Sequence, residues 1–434
     1  MTIESWQAWL YERLLAYERG HRRALHPTLD FIRRWDALLG HPHQKYPIIH
    51  IAGTNGKGST SAYLSAILRA AGYRVGLHTS PHLWRFTERM RVNGEEPPAE
   101  WVHTFLQGWK DTIEKLGLSF FELTVGMSLA YFAEAEVDIA IVEVGLGGLW
   151  DATNIVSPLI SVITPISWDH VEILGPTIED IARQKGGIIK PGRPVVVSPQ
   201  EHAVASRTLR QIAEQQTASF IQTPYDLVAT EWVHREHTFY RAFIEKRTGQ
   251  RYLSDLTGDY QAVNLATVLA VVDQLQAMGW HISDIALQEG IASASKLAPL
   301  YGRGQWLLLD EHTILLDVAH NPQGLRALRR LVEKAPIRLE GLIIGFSQDK
   351  DIAGALRALG GWEGPVFFTA ANNPRACSPH KLQEIAAPLG YHGHTFPTAK
   401  EALSAAMQTC QTILVTGSVF LVAEVIAAIW ATSE

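Results

Sequence analysis

The clearest chemistry in the chain is carried by Gly53-Thr54-Asn55-Gly56-Lys57-Gly58-Ser59-Thr60. The run at 46–52 before it is β-branched and apolar and reads as a buried strand; 59–71 after it is rich in Ala and Leu and reads as a helix. Glycines at such a junction let backbone N–H groups turn inward around phosphate oxygens. The helix N-terminus adds partial positive charge, and Lys57 adds a full one. The spelling differs from the usual phosphate loop: the first glycine is nearer, and Gly58 stands where a hydroxyl normally follows the lysine. Ser59 or Thr60 would then supply the hydroxyl facing a Mg²⁺ ion. The alternative is a glycine-rich turn with one surface lysine.

Other reactive side chains fall just past apolar runs. Glu143 ends one and is followed by Gly145-Leu146-Gly147-Gly148. A carboxylate at a strand tip beside a glycine turn can hold a metal bound to phosphate. The same residues also allow a solvated strand-end glutamate, or a dinucleotide fingerprint whose last glycine position is taken by Trp150. His170, in Trp168-Asp169-His170, is either a metal ligand or a turn histidine. Ser80, in Thr79-Ser80-Pro81-His82, reads on its own as a turn. Lys185 closes a helical segment, where a lysine ordinarily complements the helix dipole from solvent. Asp317-Val318-Ala319-His320-Asn321-Pro322 joins a strand to a helix; it could read a base or ribose, or Asn321 could simply start the helix.

The elements needed to position these groups alternate. Two short helices are expected at 6–17 and 28–39, then strand 46–52, helix 59–71 and strand 74–78, a βαβ unit typical of parallel sheets. Strands at 137–144, 159–164 and 194–198 and helices at 124–134 and 177–185 continue it. Alternation around 231–244 suggests a small antiparallel patch, and 259–278 is a long helix closed by Gly279. The strand–helix pattern restarts after residue 298, near Tyr301-Gly302-Arg303-Gly304. The expected fold is therefore α/β in two domains: residues 1–297, with a parallel sheet and a phosphate loop, and residues 298–434, a Rossmann-like α/β domain.

Composition narrows the function. Of 434 residues, 38 are Lys or Arg and 44 are Asp or Glu, a formal net charge of -6, which excludes a generally basic nucleic-acid binder. Hydrophobic residues at 47% argue for real cores and against disorder. The two cysteines, Cys377 and Cys410, exclude a disulfide scaffold and point to a reducing compartment. Glu12, Arg13, Glu18, Arg19, Arg22 and Arg23 interrupt the N-terminal apolar positions, so no secretory signal is expected. No run reaches the ~20 apolar residues of a membrane span. A cytoplasmic protein, free of membrane and nucleic acid, is the expectation.

Taken in order, these segments resemble the Mur ligase superfamily, and within it the folate branch of dihydrofolate synthase/folylpolyglutamate synthase. The resemblance rests on Gly53 to Ser59 with the glycine after the lysine, Thr79-Ser80-Pro81-His82, Thr87-Glu88-Arg89, Phe121-Glu122, Glu143 to Gly148, Asp151-Ala152-Thr153-Asn154 and Asp169-His170. It continues through Asp317 to Pro322, Asp349-Lys350-Asp351 and Gly417-Ser418. Departures are local. Leu149 and Trp150 stand where the family usually has Arg and Leu. Gln184 and Gly186 flank Lys185 where Glu and Ala are common, and Tyr301 and Gly304 replace the Pro and Phe of a Pro-Gly-Arg-Phe pattern.

The resemblance implies an ATP-dependent carboxylate–amine ligase, acting on pteroate or folate and L-glutamate through an acyl phosphate. Thr54, Asn55, Gly56, Lys57, Gly58 and Ser59 would hold ATP phosphates, and Ser80, Glu143 and His170 would ligate Mg²⁺. Lys185 would be carbamylated, joining Lys57, Glu143 and His170 in catalysis. Phe121, Glu122, Asp151 and Ala152 would line the pterin site, and Asn264, Arg303, Asp317 and His320 would contact the nucleotide. The family suggests a monomer. Two rivals differ in class: a muramyl-type ligase acting on a UDP-sugar, and a nucleotide-binding homologue that has lost catalysis.

Overall fold

A computed structural model describes residues 6, 8–10, 28–235, 238–309 and 311–432. Residues 11–17 of the first expected helix lie outside the described residues; Trp6 and residues 8–10 are helical. By contacts the chain forms two units. The first comprises Met1–Asp226 and Val263–Pro299, the second Leu227–Ala262 and Leu300–Glu434. The short antiparallel patch thus groups with the C-terminal residues.

The first unit is built on a seven-stranded sheet of β1 (Ile48–Ala52), β2 (Val75–His78), β3 (Met90–Val92), β4 (Ile139–Glu143), β5 (Ile160–Ile163), β6 (Val195–Val197) and β7 (Phe220–Gln222), in the order β3-β2-β4-β1-β5-β6-β7. All neighbours are parallel except β2 and β3. β1 is buried at all five positions, as a central parallel strand covered on both faces must be. That burial explains its continuous apolar spelling. Because β1, β2, β4 and β5 run the same way, their C-terminal ends fall on one edge, where the loops after them carry Gly53, Ser80, Glu143 and His170.

Helices cover the sheet. Lys57–Ala70 buries eleven consecutive residues, Gly58 to Leu68. Phe120–Glu134 starts with a capping box: Ser119 Oγ accepts the Glu122 N–H, while the Glu122 carboxylate accepts the Ser119 N–H. The helix Ala99–Leu116, absent from the sequence-based expectations, is strongly amphipathic and ends at Gly117 in the left-handed region. Its Phe105 and Trp109 meet the fully buried Trp35 edge-on, at 6.1 and 5.2 Å between ring centroids.

The second unit holds two sheets. β8 (Leu227–Arg235), β9 (Thr238–Glu245) and β10 (Arg251–Ser254) form an antiparallel sheet in the order β10-β9-β8. The other is six-stranded, β11 (Arg303–Leu309), β12 (His312–Asp317), β13 (Gly341–Ile344), β14 (Val366–Phe368), β15 (Gly393–Thr395) and β16 (Thr412–Thr416), in the order β11-β12-β16-β13-β14-β15. Only β11 pairs antiparallel there. Its core joins Leu315, Leu325, Leu328, Leu342, Phe346 and Phe368.

Two helical glycines should respond oppositely to alanine. A methyl at Gly126 would sit 2.0 Å from Trp35 Nε1 and 2.3 Å from its Cδ1, and Trp35 has no room to yield. Overpacking of about 1–3 kcal/mol should exceed the gain in helix propensity, so Gly126→Ala should lower the thermal midpoint. At Gly108 nothing lies within 4 Å, and Gly108→Ala should raise stability by roughly 0.5–1 kcal/mol. Calorimetric scans showing both variants moving the same way would contradict this packing.

Candidate active site

The phosphate-loop segment folds back on the strand beside it. Thr54 and Asn55 N–H groups both reach the Pro165 carbonyl, at 3.0 and 3.4 Å. Thr54 Oγ1 donates to Ser167 O and accepts the Ser167 N–H, both at 3.1 Å. Gly53 (φ 151°) has no space for a side chain, since a Cβ would lie 1.8 Å from Thr164 Oγ1. Gly56 is the N-cap of the helix Lys57–Ala70, at φ 91°, and offers no capping side chain. A helix start without its own side-chain cap offers N–H groups and partial positive charge suited to an anion. A Cβ on Gly56 would fall 2.2 Å from Asn264 Oδ1, so Asn264 lies directly against this turn.

Two lysines converge on one oxygen. Lys57 Nζ donates to Gly53 O at 3.2 Å and to Thr54 O at 3.3 Å; Lys185 Nζ donates to the same Gly53 O at 2.8 Å. Lys185 is 4% exposed, which rules out the solvated helix-end cation the sequence also allowed. Burial, reinforced by the Lys57 charge, pushes its ammonium down to about 7, against the opposing pull of Asp169 and Asp151. A large share of this amine is therefore neutral near pH 7.

Glu143 is buried at the tip of β4 and accepts the Ser80 N–H at 3.1 Å. This brings the tips of β2 and β4 together. His170 takes left-handed backbone (φ 48°), with its N–H on Asp169 Oδ1 and its ring partly exposed beside Asp169. The donors expected for Mg²⁺ are a carboxylate, a hydroxyl and an imidazole. The two oxygen types fit a hard cation that also keeps water and phosphate ligands, so the set is chemically compatible with it.

The turn 145–151 makes a second cluster. The Phe121 ring lies so close over Gly145 that a Cβ there would be 2.5 Å from its Cζ. Asp151 accepts N–H groups from Leu146 at 2.8 Å and Thr153 at 3.0 Å, and its carboxyl is raised by burial against those bonds. Ala152 is buried beside it. Gly148 packs on the Gln184 and Lys185 backbone, with a Cβ position 2.7 Å from Gln184 O, and Leu149 donates to Gln184 O at 2.7 Å. Close packing on the helix Ile178–Gly186 thus accounts for this glycine without a dinucleotide. Leu149 and Trp150 are exposed.

Behind Asp151 lies a relay that sequence reading missed. Thr153 Oγ1 donates to Asp151 Oδ1 at 2.5 Å and is 2.9 Å from His50 Nε2. With that hydroxyl proton committed, His50 carries its proton on Nε2 and donates to Thr153. Burial first, then the Lys190 charge and His78, push the imidazole down to about 3, so it stays neutral. The one sequence signal was a polar residue inside the apolar strand at 48–52.

In the second unit, Arg303 on β11 pairs in register with Asp317 at the end of β12. Asp317 accepts the Ala319 N–H at 2.9 Å and the Tyr260 hydroxyl at 3.2 Å; burial raises its carboxyl, opposed by these bonds and by Arg303. Tyr260 had no sequence signal. His320 Nδ1 sits 3.0 Å from Val318 O, and Asn321 Oδ1 accepts the Gly324 N–H, so Asn321 does start the helix Pro322–Glu333.

Comparison with known proteins identifies the family. Residues 51–272 match the Mur ligase middle domain, and residues 302–419 match the Mur ligase glutamate ligase domain. A dihydrofolate synthase/folylpolyglutamate synthase of Escherichia coli (strain K12) is 33% identical over 98% of this chain and 95% of its own length. An E. coli FolC structure in complex with DHPP and ADP superposes with a TM-score of 0.82 at 32% identity, covering 100% of this chain and 99% of that one. A bifunctional folylpolyglutamate synthase/dihydrofolate synthase from Yersinia pestis, complexed with AMPPNP and a Mn ion, gives 0.80 at 31% identity, covering 99% and 98%. The chain belongs to the Mur ligase family, in its dihydrofolate synthase/folylpolyglutamate synthase branch.

The Gly56 turn gives a direct test. Gly56→Ala adds left-handed strain of about 1–2 kcal/mol and pushes on Asn264. ADP affinity measured by calorimetry should fall about 10-fold or more, with the thermal transition otherwise retained. Unchanged affinity would separate this turn from nucleotide binding.

Proposed function

We propose that this chain couples ATP cleavage to amide formation between L-glutamate and the carboxylate of dihydropteroate or a reduced folate. It is an ATP-dependent carboxylate–amine ligase. The observation that carries the reading is the meeting, at one sheet edge, of an uncapped helix N-terminus, the Lys57 and Lys185 amines, and the Glu143 carboxylate with Ser80.

The acceptor carboxylate attacks the γ-phosphorus, ADP departs, and the glutamate amine then displaces phosphate from the acyl carbon. Little covalent help from the protein is needed in the first step; positioning and charge stabilisation dominate. Gly56, Gly58 and Ser59 present the helix N-terminus to the phosphates, with Thr54 and Asn55 shaping the loop, and Lys57 swings from the Gly53 and Thr54 carbonyls onto the transferring group. Ser80, Glu143 and His170 would hold the divalent cation, which when bound offsets charge building on the phosphate oxygens. Phe121 offers its face to the pterin. Asp151, with Ala152 beside it, hydrogen-bonds the pterin while held by Thr153 and His50. Glu122 contributes chiefly by fixing the start of the Phe121 helix. Asn264, Arg303, Asp317 and His320 take the nucleotide.

Lys185 acts as a carbamate. Its neutral amine adds CO₂ and releases a proton, and the resulting anion faces Lys57 instead of repelling it. The buried free cysteines support a cytoplasmic location, no helix among the described residues is long and apolar enough to cross a membrane, and the chain acts on small molecules as a monomer.

The function is tested by phosphate release and product analysis with ATP, glutamate and, separately, dihydropteroate, tetrahydrofolate, a UDP-sugar or no acceptor. Glutamylated pterin product is expected with a pterin acceptor only; turnover of the UDP-sugar alone, or none with any acceptor, contradicts the proposal. Lys57→Ala should cut turnover by on the order of 10²-fold or more, with the fold unchanged.

For Lys185, the neutral fraction rises with pH through about 7, so at fixed dissolved CO₂ carbamate formation and activity should fall together as pH drops below that value, and CO₂ depletion should lower both. Lys185→Ala should lose about 10²-fold or more in turnover, and added short carboxylic acids should restore part of it. A fully active alanine variant, or activity indifferent to CO₂, would return Lys185 to a structural role.

A further inference from the structure

At the C-terminal end of the helix Asp30–Leu38, three side chains converge that the ligase chemistry does not use. Asp36 is almost wholly buried, and its two oxygens are shared between two rings: Oδ2 is 2.7 Å from His41 Nδ1, and Oδ1 is 2.7 Å from His43 Nδ1. One ligand atom from each residue lies within 4.8 Å of the other two, the only such His, Cys, Asp or Glu trio among the described residues. The backbone holds both rings in place. Gly40 (φ 76°) and His41 (φ 55°, ψ 54°) are left-handed, the His41 N–H returns to Asp36 O at 2.9 Å, and Pro42 opens the short turn Pro42–Gln44. His43 is largely buried and His41 half exposed, so the trio is anchored on one side and open to solvent on the other.

We propose that Asp36, His41 and His43 form a binding site for a divalent transition metal of the zinc class. Two imidazole nitrogens and a carboxylate are the donor set of a three-ligand zinc site with one open position. Two imidazoles to one carboxylate disfavour Mg²⁺ and Ca²⁺, which take mainly oxygen ligands, whereas the donors expected around Glu143 are two oxygens to one imidazole, so the two sites prefer different ions. A ring ligates through a bare Nδ1 lone pair, so metal binding requires the tautomer that carries its proton on Nε2. Asp36 already supplies the anion. A tetrahedral ion with bonds of about 2.0–2.1 Å separates its ligand atoms by roughly 3.4 Å. His41 and His43 contact different oxygens of Asp36, each at 2.7 Å, so the ion would take one of those oxygens and one ring would turn toward it. His41, at the exposed rim, can make most of that movement. The ion would tie the helix end to the segment that enters β1 and, one strand later, the phosphate loop.

The test uses the full chain in excess Mg²⁺, with Zn²⁺ affinity read by competition against a chromophoric chelator and Co²⁺ as a spectroscopic probe. One equivalent of Zn²⁺ is expected, weakened about 10-fold or more in His43→Gln and in His41→Asn, where asparagine tolerates the left-handed backbone. Co²⁺ should give intense tetrahedral visible bands that the double variant lacks, and Zn²⁺ should raise the thermal midpoint of the wild type alone. Equal affinity in wild type and variants would overturn the site. So would loss of the Zn²⁺ equivalent in Glu143→Ala with its retention in His43→Gln, which would locate the ion at the ligase centre.

Discussion

The carbonyl oxygen of Gly53 accepts from two lysine side chains, and much of the site follows from that. Gly53 can aim its carbonyl this way only because it lacks a side chain; Thr164 fills the space a Cβ would need. One lysine, Lys57, begins the helix proposed to receive phosphate; the other, Lys185, ends a helix packed under the 145–149 turn. Two full positive charges on one buried oxygen repel, and burial of Lys185 decides which of them yields. An amine whose charged form is disfavoured by burial, next to the Lys57 cation, would let the local charge adjust to the anionic phosphates of the proposed reaction. The proposed Lys185 carbamate would relieve the same repulsion.

The sheet does the rest of the positioning. Parallel neighbours on both sides of β1 deliver the phosphate loop, Glu143, Ser80 and the 164–170 loop to one edge. Direct bonds then fix the spacing: Ser80 N–H to Glu143, and Thr54 to Ser167. Behind this polar edge, His50 supports Asp151 through Thr153 in a buried chain of two side-chain hydrogen bonds. The site is therefore held by backbone placement first and by side-chain bonds second.

The placement of Gly53, Ser80, Glu143 and His170 just past strand ends was legible from where the apolar runs stop, while each residue on its own also allowed a turn or a solvated side chain. Strands β1, β12 and β16 and the helix Pro322–Glu333 were readable from apolar runs and helix caps. Short edge strands such as β3 were not, since three residues carry no periodicity. The burial of Lys185 was invisible because a helix-end lysine looks the same whether solvent or a loop carbonyl receives it. Asn264 and Tyr260 lie far along the chain from the groups they meet, and only the fold sets Asn264 against Gly56 or Tyr260 against Asp317. His50 shows the reverse case: an anomaly within a strand that sequence displays and only structure interprets.

On the proposed reading the acceptor carboxylate itself is phosphorylated at this edge before the glutamate amine attacks it. Turnover with dihydropteroate labelled with ¹⁸O in its carboxylate measures that directly. The account predicts that each amide formed transfers one labelled oxygen to inorganic phosphate; phosphate released without label, alongside glutamylated product, would contradict it.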